Sequence, residues 1–258
     1  MFISDKFIFN GVHSDEMGVA LVTFDSNAFN QYGLNFNQEI STSKSGRDMS
    51  HFTVSEGEIE KIELNIALID KNDNPVIWDD YTTIEVIDWL VTDSFVEFIS
   101  EDNVDLVYYL KATNIVKNFN QNRQGYLQVT FQPFSNSAYV KHSRKYIFNE
   151  PGSFIIDNVS TLKEMYKPVI EIRNLGDNLN IISIENETVG GEPFVIADLD
   201  NEEVITIDGL MGTVYNEYKD NLLMKCNRKW LKLARGENKI NISGNVEVHI
   251  RCQFPVRA

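Results

Sequence analysis

A single stretch of the sequence, residues 82–92, has the apolar spacing of an α-helix, whereas apolar residues elsewhere recur mostly at every second position. Thr82 followed by Glu85 matches a capping box, in which the hydroxyl accepts an amide proton and the carboxylate returns to the cap. We therefore predict one helix that begins at Thr82 and lies against a β-sheet. The residues expected on its buried face are Ile84, Ile87, Trp89, Leu90 and Val91.

The remainder of the first half is predicted to be β-structure. Short strands are expected at residues 7–9, before the turn sequence Asn10-Gly11, and at 19–22. Residues 58–68 alternate apolar and charged side chains, which is typical of a half-buried antiparallel strand. Three more strands are predicted after the helix, at 95–99, 106–112 and 125–131, the last with Leu127, Val129 and Phe131 on one face.

Residues 25–50 differ from their surroundings because they are rich in Asn, Gln, Ser and Thr but carry large apolar side chains at intervals. Lys44-Ser45-Gly46-Arg47 is predicted to be the tip of a hairpin. Two interpretations stay open: a flexible surface loop, or an extended arm whose aromatic residues are buried by another subunit. In the second interpretation the candidate subunit-interface residues are Phe29, Tyr32, Leu34 and Phe36.

Two domains are predicted, with a boundary inside residues 133–150, which lack sustained periodicity and end at Pro151-Gly152. Domain 1–140 is expected to be a β-rich domain with the single helix, and domain 141–258 a β-sandwich of jelly-roll or lectin-like type. The fold class is therefore mainly β. Strands of the second domain are predicted at 168–173, 179–185, 193–198, 203–208, 222–226, 230–234, 239–243 and 246–254.

The composition excludes several classes of function. A formal net charge of −15, from 23 basic and 38 acidic residues, disfavours binding to nucleic acid or to an anionic membrane. Neither a targeting signal nor a membrane-length apolar run is expected, so the chain is predicted to be made in a cytosol and kept there or released by lysis. Cys226 and Cys252 are predicted to be buried and reduced on their strands.

No motif for catalysis, a metal or a cofactor is found in the sequence. Asp70, Asn72 and Asn74 match the start of a calcium loop, but Pro75 and Tyr81 stand where that loop needs glycine and glutamate. The four histidines, at positions 13, 51, 142 and 249, are far apart and lack partners at metal-ligand spacing. The acidic cluster formed by Asp198, Asp200, Glu202 and Glu203 is interpreted as a charged turn, with glycoside hydrolysis as the alternative.

Several motifs, taken in order, resemble the distal tail (Dit) proteins of long-tailed bacteriophages, especially phages of Gram-positive hosts. The opening motif is Phe7-Ile-Phe-Asn-Gly-Val-His-Ser-Asp-Glu-Met-Gly18, and the closing one is Trp230-Leu-Lys-Leu-Ala-Arg-Gly-Glu-Asn-Lys-Ile-Asn-Ile-Ser-Gly244. Between them, Ile207-Asp208-Gly209 followed by Gly212-Thr213-Val214-Tyr215 is similar to the second-domain pattern of the family. The resemblance covers the whole chain.

The resemblance implies a structural virion protein at the tail tip, and neither an enzyme nor a cofactor-binding protein. Such proteins form a hexameric ring through their first domain, and their second, galectin-like domain faces outward. The ring would join the tail tube protein to the tail-associated tip protein and offer docking points for receptor-binding proteins. DNA would pass through the channel without specific binding, which suits the acidic charge of the first domain. An additional carbohydrate-binding insertion is not evident in this chain.

Three other functions are considered. A carbohydrate-binding sandwich would stack exposed aromatic residues such as Trp230 or Tyr218 on host cell-wall polysaccharide. A wall-degrading hydrolase would use the carboxylates between Asp198 and Glu203. A tail tube subunit would polymerise along an axis instead of closing into one ring.

Overall fold

The computed structural model describes residues 2, 4–23, 34, 38–44, 50–56, 58–177 and 180–257. The chain divides into two compact units, Met1–Ala138 with Arg257–Ala258, and Tyr139–Val256. Antiparallel strands are the main secondary structure of both units, so the prediction of a mainly β fold is confirmed. Within the described ranges, no helix is long and apolar enough to span a membrane.

The first unit is a curved sheet with a helix packed on it. Within this unit the strands are ordered β2-β1-β7-β8-β9-β6-β3. The N–H of Leu21 in β3 donates to the carbonyl of Asp5 at 2.7 Å. The strand at one end of this order, β3, therefore lies beside the segment that leads into β1, near the other end. The elements are β1 (Phe7–Phe9), β2 (Val12–His13), β3 (Val19–Val22), β4 (Gln38–Lys44), β5 (Ser50–Glu56), β6 (Ile62–Leu68), α1 (Asp80–Leu90), β7 (Val96–Ser100), a 3-10 helix (Glu101–Asn103), β8 (Leu106–Phe119) and β9 (Gly125–Pro133).

Most strand predictions for this unit are confirmed. β1 and β3 have the predicted bounds, and Asn10 and Gly11 both have positive φ, at 51° and 78°, as the tight hairpin turn requires. In β9, Leu127, Val129 and Phe131 are all buried on one face. β8 continues seven residues past its predicted end and pairs with β9 to Phe119.

The predicted start of the helix is wrong, and its predicted buried face is only partly right, since Leu90 is buried and Trp89 half-buried. The cap is Asp79, whose carboxylate accepts the Thr82 N–H at 2.8 Å and the Thr82 hydroxyl at 2.7 Å, so α1 begins two residues before Thr82. A charged carboxylate is a stronger hydrogen-bond acceptor than the threonine hydroxyl that was predicted to cap the helix. The helix is therefore capped at Asp79 and starts earlier than predicted. The buried residues are Thr83, Val86 and Leu90, whereas Ile84 and Val91 are each 59% exposed.

Aromatic side chains fill the space between α1 and the sheet. The Trp89 ring stacks on Phe7 with centroids 5.7 Å apart, and its indole N–H donates to the carbonyl of Phe9 at 3.2 Å. Phe7 in turn stacks on Phe98 at 5.2 Å, and Phe9 meets Phe131 edge-on at 5.6 Å. Such ring pairs add specific geometry to the area they bury, so they fix the helix on the sheet.

The hairpin of β4 and β5 is separate from this sheet. Its strands pair from Gln38 with Glu56 to Lys44 with Ser50, which confirms the predicted hairpin, although the tip at 45–49 lies outside the described residues. In the described part of the chain these two strands form a sheet of their own. The hairpin interrupts the chain between β3 and β6, which pair directly with each other from Val19–Leu68 to Val22–Asn65.

The second unit is a β-sandwich with an aliphatic core. One sheet has the order β16-β15-β12-β18-β10 and the other β11-β17-β13-β14. Isoleucines and valines from both sheets alternate into the core, which is the usual pattern for two packed antiparallel sheets. The elements are β10 (Ala138–Phe148), β11 (Gly152–Asn158), β12 (Val169–Asn174), β13 (Ile182–Asn186), β14 (Phe194–Ile196), β15 (Val204–Asp208), β16 (Thr213–Asn216), a 3-10 helix (Leu223–Lys225), β17 (Gly236–Ser243) and β18 (Val246–Val256).

Three sequence expectations for the second half are corrected. Residues 138–148, within the stretch read as lacking periodicity, form the long strand β10. Residues 230–234 lie outside any strand, and Leu233 forms an isolated β-bridge with Tyr166. Residues 223–225 form a 3-10 helix, whose threefold geometry breaks the alternation of a strand and leaves Met224 88% exposed.

The two cysteines have different environments because Cys226 follows this 3-10 helix, whereas Cys252 lies on a core strand. Cys226 follows the 3-10 helix and is half-buried, and its thiol contacts the carbonyl of Leu223 at 3.6 Å. Cys252 lies on β18 in the core, and burial raises the pKa of its thiol to about 12. Both thiols are free, as expected, but only Cys252 is buried.

Buried asparagines fix the turns of the sandwich. The Asn238 side chain accepts the Ala234 N–H at 2.8 Å and donates to the carbonyls of Ala234 and Gly236 at 2.8 and 2.7 Å. Asn186 donates to the Asn238 side-chain oxygen at 2.8 Å. Because buried amide groups are costly unless bonded, these contacts define the loop conformations. The buried asparagines of this unit are Asn158, Asn174, Asn186 and Asn238.

Candidate functional site

The four predicted interface residues precede β4 in the sequence. Phe29, Tyr32 and Phe36 are outside the described residues, and Leu34 is half-buried. On β4, the consecutive residues Glu39, Ile40 and Ser41 are all exposed, with Ile40 67% exposed. Since neighbouring side chains of a strand point to opposite faces, both faces of the hairpin are uncovered at this point.

The outer face of α1 is a second exposed surface. Tyr81, Ile84, Glu85 and Asp88 follow helical spacing opposite the core face and are all exposed, with Tyr81 78% exposed. Within the described residues, neither Glu85 nor Asp88 has an ion-pair partner. The helix thus has apolar residues on both faces, and its outer face combines two apolar side chains with two carboxylates.

A basic groove lies on the second unit, beside the turn after β13. The groove has a volume of about 380 Å³ and is lined by the cationic residues Arg228, Lys229 and Lys232, by the acidic Glu192, by Trp230 and by apolar side chains that include Met165. Lys229 pairs with Glu192 at 3.2 Å, whereas in the described part of the chain Arg228 and Lys232 have no carboxylate partner.

The basic character of this groove was missed in the sequence analysis, although a signal is present. Residues 225–235 contain five basic residues and no acidic one, in a chain with a net charge of −15. A window of charge along the sequence would have identified the segment. The aromatic residues considered for sugar stacking do not form one platform here: Trp230 stacks on Phe194 at 6.0 Å, and Tyr218 is not part of the groove.

The acidic cluster at 198–203 is a turn between strands. Glu203 accepts the Asp200 N–H at 2.9 Å and lies 3.9 Å from the Lys225 ammonium. Glu202 lies 3.8 Å from Arg173, and Asp198 contributes its backbone carbonyl to Lys225. These contacts stabilise the turn and give no opposed pair of carboxylates around a cleft.

Three residues on neighbouring strands of the five-stranded sheet resemble a catalytic triad in part. The Ser143 hydroxyl lies 2.7 Å from Nε2 of His249, whose Nδ1 lies 3.9 Å from Glu171. That second distance is too long for a hydrogen bond, and the Glu171 carboxylate is instead bonded by Arg251 at 3.2 Å. The row therefore has the geometry of cross-strand polar pairing and lacks the oriented histidine of a hydrolase.

The sequence predicts no partners at metal-ligand spacing for the four histidines, and two of them have polar partners of other kinds. His249 has the contacts above, and Nε2 of His13 lies 2.8 Å from the Glu101 carboxylate. The pKa of His142 is lowered, first by burial and then by the charge of Arg144. Within the described ranges, no group of three or more His, Cys, Asp or Glu residues could hold a metal ion.

Comparisons with known proteins agree with a structural role. Residues 2–133 match a family model described as the N-terminal domain of a phage tail protein, and residues 137–252 match one described as a phage tail C-terminal domain. The chain belongs to this family of phage tail proteins. It is accordingly a structural virion component and not an enzyme.

Relatives of this phage tail protein include the SPbeta prophage-derived protein YomH of Bacillus subtilis (strain 168). The two sequences are 22% identical in an alignment that covers 97% of each chain. The fold is similar to that of SPP1 Dit, which is described as a paradigm of the hub adsorption apparatus in phages infecting Gram-positive bacteria. That match has a TM-score of 0.62 and 9% identity, and covers 96% of this chain and 98% of the other.

A second structural match is a chain of the phage P2 baseplate in its activated conformation with calcium. The TM-score is 0.54 at 11% identity, and the match covers 97% of this chain and 98% of the other. The resemblance of the phage tail protein to the distal tail proteins is thereby confirmed, and it extends over both units.

Proposed function

We propose that this tail protein is the ring-forming hub of the phage tail tip, with six subunits in the ring. In this proposal the first unit, domain 1–140, forms the ring, and the second, galectin-like sandwich faces outward. The ring joins the tail tube protein to the tail-associated tip protein, and the sandwiches dock receptor-binding proteins. The comparisons support a baseplate hub of this kind. Ring closure through a heterologous contact also suits a protein in whose sequence no catalytic motif is found.

The β4–β5 hairpin is the observation that carries the proposal. A two-stranded hairpin is marginally stable in water by itself, and this one shares no ladder with the other described strands. Its residues 39–41 are exposed on both faces, including the apolar Ile40. A neighbouring subunit that covers the hairpin would provide the missing contacts. The hairpin and the segment before it, with Phe29, Tyr32, Leu34 and Phe36, therefore act as an inter-subunit clasp.

The charge of the first half supports a channel for DNA. The segment through Lys145 has 11 basic and 21 acidic residues, which gives −10, and the remainder has 12 and 17, which gives −5. Carboxylates that line the ring would repel phosphates and let DNA pass without adhering. Carboxylates located on the outer rim of an imaged ring would contradict this part of the proposal.

The test is the solution mass by light scattering over a range of concentrations, with negative-stain images of any large species. A closed ring of about six subunits is expected. Ile40→Lys should then weaken the assembly, because a charge would be buried in the clasp. The double variant Tyr32→Ala with Phe36→Ala should also weaken the assembly.

Ile155→Lys is the matched control, since Ile155 is 58% exposed on β11 of the second unit. This variant should assemble like the parent protein. A parent protein that is monomeric at all concentrations would contradict ring formation in solution. A ring whose stability is equal in the parent and both arm variants would contradict the clasp.

A further inference from the structure

Two exposed surfaces of this chain are complementary in charge and in apolar character. The outer face of α1 carries Glu85 and Asp88 beside Tyr81 and Ile84, and the basic groove carries Arg228, Lys229 and Lys232 beside Trp230 and Met165. Both surfaces are accessible to solvent in the isolated chain. The complementarity is not explained by any contact within either unit.

The helix surface has the composition of an interface and not of a solvated face. A helix that needs only one buried side normally has polar residues opposite it. Here Tyr81 and Ile84 occupy that opposite side, at 78% and 59% exposure, one turn apart. Exposed large apolar side chains rimmed by charges are typical of surfaces that bind another protein.

The groove has the matching composition. Tryptophan, arginine and methionine are enriched at the centres of protein interfaces. Arg228 and Lys232 have no carboxylate partner among the described residues, and the Cβ of a side chain at Gly190 or Gly191 would meet no heavy atom within 4 Å. A partner backbone can therefore approach the rim of the groove closely.

We infer that the outer face of α1 in one subunit binds the basic groove of a second copy of the same chain. Glu85 and Asp88 would pair with Arg228 and Lys232 across this contact, and Tyr81 and Ile84 would pack on Trp230 and Met165. The contact rests on the proposed self-assembly and adds a surface that is separate from the arm. It links the first unit of one subunit to the second unit of its neighbour.

Charge reversal on each side tests the contact in the full-length chain. Glu85→Lys with Asp88→Lys should raise the concentration at which half of the assembly dissociates by about tenfold or more, because like charges would face each other. Arg228→Glu with Lys232→Glu should have the same effect. The variant with all four substitutions restores opposite charges in every contact of the assembly, so it should dissociate close to the concentration of the parent protein.

Matched controls separate the contact from net charge. Asp105→Lys with Asp157→Lys, and Lys117→Glu with Arg144→Glu, change the net charge by the same amounts at exposed sites outside both surfaces. Both controls should assemble like the parent protein. Thermal unfolding of each variant, measured below the assembly concentration, should be unchanged because all the substituted side chains are exposed.

Three results would overturn the inference. If the reversal variants assemble at the same concentration as the parent protein, the contact does not exist and the arm-based ring stands. If the fourfold variant is as weak as its weaker parent variant, the charges act independently of each other. A parent protein that stays monomeric up to its solubility limit contradicts both the contact and the proposed ring.

Discussion

The two units reach stability by different routes. The second unit is complete in itself: two sheets cover one aliphatic core, and buried asparagines hold the turns. The first unit has a well-packed aromatic core, but residues 39–41 of its hairpin are exposed and the outer face of α1 exposes apolar side chains. Exposed apolar side chains occur on both units, with Met224 of the second unit 88% exposed, so what distinguishes the first unit is a hairpin that forms a sheet of its own in the described part of the chain. We therefore expect contact with another subunit to matter more to the folding of the first unit than to that of the second.

Truncation of core residues should separate the two units with the largest effect. Phe98→Ala removes a ring that stacks on Phe7, and we expect it to lower the free energy of unfolding of the first unit by about 4 kcal/mol. Ile172→Ala should lower that of the second unit by about 3 kcal/mol, because Ile172 is fully buried between the sheets. Denaturant unfolding followed by tryptophan fluorescence measures both.

A background with Trp230→Phe leaves only Trp78 and Trp89, which report on the first unit. In that background Ile172→Ala should leave the transition unchanged. If each truncation shifted both transitions equally, the units would unfold together and the contrast between them would be lost.

The asparagine network should matter only to the second unit. Asn238→Ala leaves the Ala234 N–H and two carbonyls without their partner, and we expect a loss of about 2 kcal/mol in the free energy of unfolding. Asn241→Ala is the control, since its side chain donates to Glu187 at the surface. Equal stability of the two variants, by thermal or denaturant unfolding, would show that solvent replaces the buried contacts.

Acidification should weaken the first unit through the cap of α1. The Thr82 N–H, and next the Thr82 hydroxyl, hold the pKa of Asp79 below its usual 3.8 in the folded chain. This stabilisation is present above the unfolded pKa and is lost as pH falls through the folded one. The parent protein should therefore lose more thermal stability between about pH 6 and pH 3 than Asp79→Asn, which keeps a capping oxygen that does not titrate. Parallel losses in the two proteins would exclude this cap as a cause.

The smallest effect is expected in thiol reactivity, which reports on the second unit alone. Cys226 is half-buried, whereas burial raises the pKa of Cys252 to about 12, so alkylation at about pH 8 should label Cys226 first. Labelling of Cys252 should accelerate only when the sandwich opens. Mass spectrometry of the peptides distinguishes the two sites, and labelling of Cys252 at the rate of Cys226 in native conditions would contradict a closed core.

Period-two patterns were enough to predict most strands, because each strand buries one face. They failed where another element replaced that geometry, as at Met224, which follows the 3-10 pattern. The helical spacing of apolar residues failed in part on α1, where it assigned Ile84 to the core although this side chain is 59% exposed. Nothing in a single sequence distinguishes an apolar residue that packs on its own sheet from one that faces outward, and this residue lies on the surface we propose to be an interface.

The contacts of the polar residues were less predictable. Ser143, His249 and Glu171 meet because β10, β18 and β12 are neighbours in one sheet, and this register depends on pairing between distant parts of the chain. The histidine therefore appeared isolated. In contrast, the family resemblance depended on turn residues in a fixed order along the chain. That order can be read from the sequence without knowing which strands pair.

The position of the β4–β5 hairpin has a consequence for how such proteins can diversify. Since β3 and β6 are already paired in the sheet, a connection of a few residues from Val22 to Ile62 could join them and leave the pairing of β6 with both β3 and β9 intact. The arm is thus a module that evolution can lengthen, shorten or exchange without redesigning the domain that carries it. The same property makes the hairpin tip a suitable place for an affinity tag or a fluorescent label.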